Sequence, residues 1–481
     1  MEDRSRKMLI NGQWMESLSG KQIALKSPAT GETIAHMAYG GREEAIMAIE
    51  AAHDAFADWS TTPAKERSAY LLKIVQLMQE NKADLAHMIS LEMGKPIREA
   101  RGEVDIAIDY VQWYAEEAKR VYGDLVPSNS KTKRILVVRQ PVGVTAAITP
   151  WNFPLSMVTR KIAPALAAGC TVILKPAKQT PGSAILFFEL MEKAGLPKGV
   201  ANLVLGNAGE IAEAFTSSSY VKKITFTGST EVGKQLLNQA SHQVKRVSME
   251  LGGHAPFIVF PDADLEKSVE GLIASKFRNS GQTCICTNRV YVHTSIIEPF
   301  SRLLKQKIEK MVMGNGLRED VDLGPIVDRV GLQKIEEQVQ DSLDRGAKLL
   351  SGGRIRTDGE LGKGYFYEPT ILVDVDDEMR VAYEETFGPV VPILPFETEQ
   401  EVLEKANHTP FGLAAYFYTK DLGRTIRMYE GLEYGIIGAN DPIPTTVQAP
   451  FGGFKESGIG REGGYYGMEG FLETKYVSLG F

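Results

Sequence analysis

Three stretches near the start of the chain, residues 42–59, 63–93 and 98–122, carry apolar side chains at helical spacing with Lys and Glu between them. That spacing predicts amphipathic helices packed on a common body. A short β-branched run follows at residues 134–140 (RILVVRQ), polar at both ends, and reads as a strand that leaves the body as an arm. From residue 141 to about 253 the pattern changes. Short apolar runs (VGVTAAIT, TVILKP, NLVLG, KITFTG, RVSMELGG) alternate with helical segments at 157–168, 183–194 and 230–240. This alternation predicts an α/β fold with a parallel, doubly wound sheet, whose ligands bind beyond the carboxyl ends of its strands. A second alternating region runs from 255 to about 440, opening with APFIVF and a helix at 265–279, so a domain boundary is expected near Gly252 and Gly253. The tail, 458–481, contains FLETKYVSLG, a strand pattern without a local partner that is expected to pair with the arm at Arg134.

The 481 residues are 43% hydrophobic and 24% charged, an ordinary balance for a soluble chain of roughly two to four domains. Lys and Arg number 54 against 61 Asp and Glu, a formal charge of −7, and no basic run tracks a phosphate backbone. Nucleic acid is therefore not an expected partner. No stretch approaches about 18 uninterrupted apolar residues, and the charged N-terminus lacks the apolar region of a secretory signal, so a cytoplasmic location is expected. Three cysteines, Cys170, Cys284 and Cys286, are too few for a disulfide framework, and the C-x-C pair lacks the ligand count of a metal site.

Two of those cysteines share the polar segment NSGQTCICTN. Cys284 follows Gly281, Gln282 and Thr283 directly after an apolar helix, where free backbone amides favour a thiolate; a small buried hydrophobe is the bland alternative. Cys286, two residues on, is a packing residue or a redox partner. The seven histidines stand singly, and the better candidate base is Glu250, which ends the strand of SMELGG. A carboxyl group at the end of a buried strand has a raised pKa suited to a general base; a capping or ion-paired glutamate fits the pattern equally well. Phe226, Thr227, Gly228, Ser229 and Thr230 form a strand-to-helix turn continued by Val232 and Gly233, whose free N–H groups hold a phosphate or are met by a plain N-cap. Lys175 and Lys178 of LKPAKQTP end a neighbouring strand and either meet ribose or phosphate oxygens or are simply solvated. Asn152, in the Pro-bounded turn TPWNFP, is either an oxyanion donor or a partner for its own turn.

TPWNFP, LKPAKQTP, FTGST, MELGG, GQTC, EETFGP and PFGGFKESG occur in this order over essentially the whole chain, and together they resemble the aldehyde dehydrogenase superfamily. The resemblance implies a Rossmann-type dinucleotide domain (1–122 and 141–252), an α/β catalytic domain (253–457) and a β-strand oligomerisation arm (123–140 and 458–481) that builds a homodimer or homotetramer. It implies Cys284 as nucleophile, Glu250 as general base, and Asn152 with the Cys284 amide as the oxyanion hole. Likewise it assigns Thr149, Pro150, Trp151, Lys175, Ala177, Lys178, Phe226, Thr227, Gly228, Ser229, Thr230, Val232, Gly233 and Leu251 to the dinucleotide, with Glu385 on the nicotinamide ribose and Phe387 beside it. Thiolate attack on an aldehyde, hydride transfer, a thioester and its hydrolysis then follow.

Many NAD-preferring members have Glu where this chain has Lys178, and the reversed charge implies that NADP is accepted and preferred, with NAD use retained. The segments VTRKIAPALAAGCTVILKPA, SKFRNSGQTCICTNR and APFGGFKESGIGREGGYYG are most similar to the succinate-semialdehyde dehydrogenase group, in which two arginines matching Arg160 and Arg278 recognise a distal carboxylate. A Ser before PFGG contacts that carboxylate in some relatives; here Thr445 and Thr446 keep a hydroxyl whose placement is open. The implied reaction turns succinic semialdehyde into succinate. Glutarate semialdehyde competes, because one methylene discriminates by only about 1–3 kcal/mol, and a broad-specificity aldehyde dehydrogenase is the other alternative. Some relatives close a disulfide between the nucleophile and the Cys two residues on, which Cys284 and Cys286 would permit.

Overall fold

The computed structural model describes residues 7–481. Five parallel strands, Ala201–Leu203, Val172–Lys175, Val144–Ile148, Val221–Thr227 and Arg246–Glu250, stand side by side in that order. Their residues are near-continuous apolar runs because helices such as Arg42–Thr61 and Ser156–Ala168 pack against them. The chain enters at Val144–Ile148, works outward to one side and then to the other, so strand order reverses between Val144–Ile148 and Val221–Thr227. A crevice opens at the carboxyl ends of strands flanking such a switch, and TPWNFP and FTGST both emerge there.

A second sheet runs Lys348–Ser351, Thr370–Val373, Val390–Phe396, Thr287–His293, Ala255–Val259, Ala414–Tyr418, Ile436–Ala439. All its pairs are parallel except the first. The link from Glu250 to Ala255 is so short that the carboxyl edge of the first sheet faces the amino edge of the second. Gly253 makes this crossing possible, since a Cβ there would lie 2.3 Å from the Cys284 carbonyl oxygen. The tail strand Leu472–Gly480 pairs antiparallel with Lys133–Pro141, from Leu472↔Pro141 to Gly480↔Lys133, as expected of the arm, and Asp124–Val126 completes that sheet. No helix of the described residues is long and apolar enough to cross a membrane.

Several expectations change. The helix expected at 63–93 is two, Ala64–Glu80 and Lys82–Met93. Asn81 between them turns its side-chain amide onto the Leu77 carbonyl at 2.7 Å, the local competition by which Asn disfavours helix interiors. The third helix is Ile97–Glu117, followed by one 3₁₀ turn. The helix expected to reach 279 stops at Phe277, because Asn279 and Ser280 adopt φ of 53° and 55°. Four strands before the first helix were not anticipated: Gln22–Lys26 pairs antiparallel with Thr33–Ala38, and Met8–Ile10 and Gln13–Met15 form a hairpin on the edge of the first sheet. Its signal was Asn11-Gly12, a two-residue turn with both φ positive. Not all of 458–481 belongs to the arm, since Gly458–Ile459 pairs with Arg246–Glu250 on the other edge of the first sheet.

Gly281 closes the left-handed kink with φ of 78°, and a Cβ there would sit 2.2 Å from the Gly388 carbonyl oxygen. Gly281→Ala is expected to cost about 1–3 kcal/mol of stability, read by equilibrium denaturation; an unchanged midpoint would contradict this close approach.

Candidate active site

The kink at Asn279–Gly281 turns the chain away from its helix and sends Cys284 toward the carboxyl edge of the first sheet before the strand Thr287–His293 begins. Two cavities meet at this thiol. One, about 200 Å³, is walled by Tyr110, Phe153, Met157, Phe451, Arg160 and Arg278 among others. The second, about 410 Å³, is lined by Pro150, Trp151, Asn152, Thr227, Gly228, Ser229 and Leu251 from the first sheet, and by Glu385 and Phe387 from the second. Among the described residues Cys284 alone lines both.

Asn152 donates its side-chain amide to the Gln282 carbonyl at 3.1 Å, which aims it at the Cys284 loop, while its Oδ1 is buried without a partner. Glu250 is buried, its Oε2 has no partner, and no ion pair holds it among the described residues. Burial, then the nearby Glu462, pushes its carboxyl well above the usual range, against the pull of Arg160 and Lys161. An ion-paired Glu250 is thus ruled out, and a proton-accepting one fits.

The second cavity has the features of a dinucleotide site. Ser229 caps the helix Thr230–Ser241, whose first N–H groups face outward from the turn. A Cβ at Gly228 would lie 2.3 Å from the Phe226 ring, and one at Gly233 would lie 2.4 Å from Leu251, so both positions leave room only for backbone. Thr227 Oγ1 is buried and unpartnered, Thr230 Oγ1 accepts from the Gly252 amide at 3.3 Å, and Thr149 Oγ1 is likewise orphaned. Glu385 accepts from the Gly253 amide at 3.0 Å, and burial raises its carboxyl to about 7. Trp151 and Phe387 meet edge to face at 5.5 Å, with Phe387 held at φ of 59°. Thr149, Lys175, Ala177, Lys178, Phe226, Thr230, Val232 and Gly233 do not line this cavity, and Glu250 lines neither of the two. Lys175 is buried at its strand end, its ammonium lowered to about 8 by burial and by Lys178, which is itself exposed.

The sequence model of the aldehyde dehydrogenase family matches residues 14–477. The chain belongs to the aldehyde dehydrogenase family. It is 50% identical over 472 residues to the NADP-dependent succinate-semialdehyde dehydrogenase GabD of Escherichia coli, covering 98% of this chain and 97% of that one. It is also 50% identical over 470 residues to a glutarate-semialdehyde dehydrogenase of Pseudomonas putida, with the same coverage. The crystal structure of succinate-semialdehyde dehydrogenase from Burkholderia pseudomallei superposes with a TM-score of 0.98 at 46% identity over 100% of both chains.

Three sequence readings of this aldehyde dehydrogenase are corrected or refined. Burial outweighs what the amide-rich turn does for a thiolate: it pushes the Cys284 thiol up to about 12, the Arg160 charge and the Cys284 amide oppose the rise, and Glu385 and Glu250 add to it. Cys284 and Cys286 are free thiols, and Cys286 is wholly buried, its sulfur against the Lys276 and Thr287 carbonyls and outside both cavities. Arg160 is already committed in part. Its Nε pairs with Glu462 Oε2 at 2.6 Å, Nη2 donates to the Met157 sulfur at 2.7 Å, and its plane lies 4.1 Å from the Phe451 ring. Arg278 rests 5.1 Å from the Phe153 ring with no ion pair or hydrogen bond among the described residues. The Thr446 hydroxyl turns to Gln448 at the exposed rim.

Residues missed from the sequence include Lys95, Glu103 and Glu462, which were legible only as ordinary charges, and Lys334, which lines the dinucleotide cavity from a helix with an ordinary polar face. With burial pushing the thiol up to about 12, the thiolate fraction at neutral pH is expected to be small and to grow about tenfold per pH unit. Iodoacetamide labelling of Cys284, followed by peptide mass, is expected to keep accelerating through pH 10, and a plateau near pH 8.5 would contradict the burial. Arg160→Met removes the charge that lowers the thiol, so labelling at any one pH should slow.

Proposed function

We propose that this aldehyde dehydrogenase oxidises succinic semialdehyde to succinate, with NADP preferred and NAD accepted. The observation that carries the reading is Arg278, a guanidinium without an ion pair or hydrogen bond among the described residues, in the cavity of mixed polar and apolar lining that Cys284 shares. Such a group is a receptor for a carboxylate at the far end of a short aldehyde. Arg160 supplies a second positive charge, held in place by Glu462.

Once the Cys284 thiol has given up its proton to water, its sulfur attacks the aldehyde carbon, and the oxygen that gains charge meets the Asn152 side-chain amide and the Cys284 N–H. Trp151, Gly228, Ser229, Glu385 and Phe387 would hold a dinucleotide in the second cavity, which would supply the acceptor for the hydride that the Cys284 adduct loses in becoming a thioester. Glu250 then takes a proton from the attacking water, the carbon–sulfur bond breaks, and the acid leaves as a carboxylate. Burial pushes the Glu250 carboxyl well above the usual range, so its proton-accepting form grows as pH rises and this step is expected to gain rate with it. Lys178, exposed at the strand end, supports a 2′-phosphate. The arm, with Leu125, Tyr476 and Leu479 exposed, supports a dimer or a dimer of dimers. Glutarate semialdehyde is the second reading, given the Pseudomonas relative.

A kinetic panel of C2 to C6 aldehydes, with and without terminal carboxylates, tests the substrate. The expected optimum is the four-carbon semialdehyde, and equal turnover of butanal would sink the carboxylate reading. Arg278→Ala is expected to lower kcat/KM for succinic semialdehyde by about 2–4 kcal/mol, on the order of 30- to 1000-fold, and to leave butanal nearly unchanged. Lys178→Glu should shift preference toward NAD; an unchanged NADP to NAD ratio would remove Lys178 as the determinant.

A further inference from the structure

Lys95 is fully buried in the bend Gly94–Pro96 that precedes the helix Ile97–Glu117. Its ammonium has three donors, and three neighbours surround it: Glu103 Oε2 at 2.6 Å, the Asn152 carbonyl at 2.7 Å and the Phe153 ring at 3.8 Å. Glu103 is equally committed. Its other oxygen accepts from the Leu155 amide at 2.9 Å and the Ser156 amide at 3.2 Å. The ion pair therefore grips the segment 152–156 at both ends. One helical turn before Glu103, on the same face, Glu99 accepts from the Asn279 amide at 2.7 Å, and Asn279 in turn donates to the Asn152 carbonyl at 3.0 Å.

A buried ion pair is a poor way to gain stability, because desolvation offsets most of the attraction. What this pair does achieve is geometric: it fixes a peptide whose side chain must point at one spot. A displacement of about 1 Å in a catalytic group costs on the order of 100-fold in rate.

We propose that Lys95, with Glu103, is a positioning residue for the oxyanion donor Asn152. The proposal rests on the reading of Cys284 as nucleophile and Asn152 as donor, but not on which aldehyde is the substrate. Lys95 lines neither cavity, and it acts through the placement of the 152–156 segment, the Asn152 amide above all.

Two reactions of the same thiol separate positioning from general damage. Acylation of Cys284 by p-nitrophenyl acetate builds a tetrahedral oxyanion beside Asn152, whereas alkylation by iodoacetamide builds none. In Lys95→Met/Glu103→Gln, which removes both charges and keeps an acceptor for the Leu155 and Ser156 amides, acylation is expected to fall about 10- to 100-fold. Alkylation should stay within about threefold, and in an Asn152→Ala background the same pair of changes should lower acylation by less than about threefold. Equal losses in both reactions, or a full further loss in Asn152→Ala, would overturn the proposal. So would unchanged acylation. Glu103→Gln alone carries the same cycle with a smaller expected loss if the double variant does not fold. Wild-type protein that is acylated yet oxidises no semialdehyde would overturn the substrate reading and leave this one standing.

Discussion

One peptide carbonyl, that of Asn152, sits where the carboxyl edge of one sheet meets the amino edge of the other, and it accepts from both sides. Lys95 reaches it from the helical layer of the first unit, and Asn279 reaches it from the kink that carries Cys284. Were either donor lost, the loop bearing the proposed oxyanion donor and the loop bearing the thiol would no longer be registered against each other. The left-handed backbone at Asn279 and Ser280 serves the same end, since a helix continued to residue 279 would carry the thiol elsewhere. Strained φ values at non-glycine residues persist only where the surroundings over-determine them, and here the hydrogen bonds to Glu99, Asn152 and Gln282 do so.

Charge placement follows the same economy of space. Arg160, Lys161 and Glu462 form a buried cluster beside Glu250, whose carboxyl keeps one oxygen without a partner. Buried polar atoms are ordinarily satisfied, and three of the exceptions belong to residues that line the second cavity: Asn152 Oδ1, Thr227 Oγ1 and Thr386 Oγ1. That distribution marks a place built to receive polar ligands rather than to stabilise the empty fold.

Much of this was legible in the sequence where chemistry follows a local pattern. Alternating strands and helices reveal the doubly wound sheets, and the turns after the strands at Ile148 and Thr227 point to the switch. The Asn11-Gly12 hairpin was legible too, by its turn residues, but was passed over amid the helical pattern that follows. Lys95 and Glu103 were not legible, because their partners lie 57 and 52 residues away and nothing in the local spacing announces a buried ion pair. Nor was the thiol's protonation: a polar-looking segment is desolvated by residues that join it only in the fold. Arg160 and Arg278, alike as letters, differ in the structure, one already spoken for by Glu462 and the other free.

Because the two cavities touch only at Cys284, the thiol is the wall as well as the reagent. The first cavity is lined beyond the thiol by Thr445, Thr446 and Gln448, the second by Asp328, Val330, Gly331 and Lys334, so the two share no wall but the sulfur. Two ligands lying one on each side would meet only there, and whatever bond the sulfur holds would be felt by both.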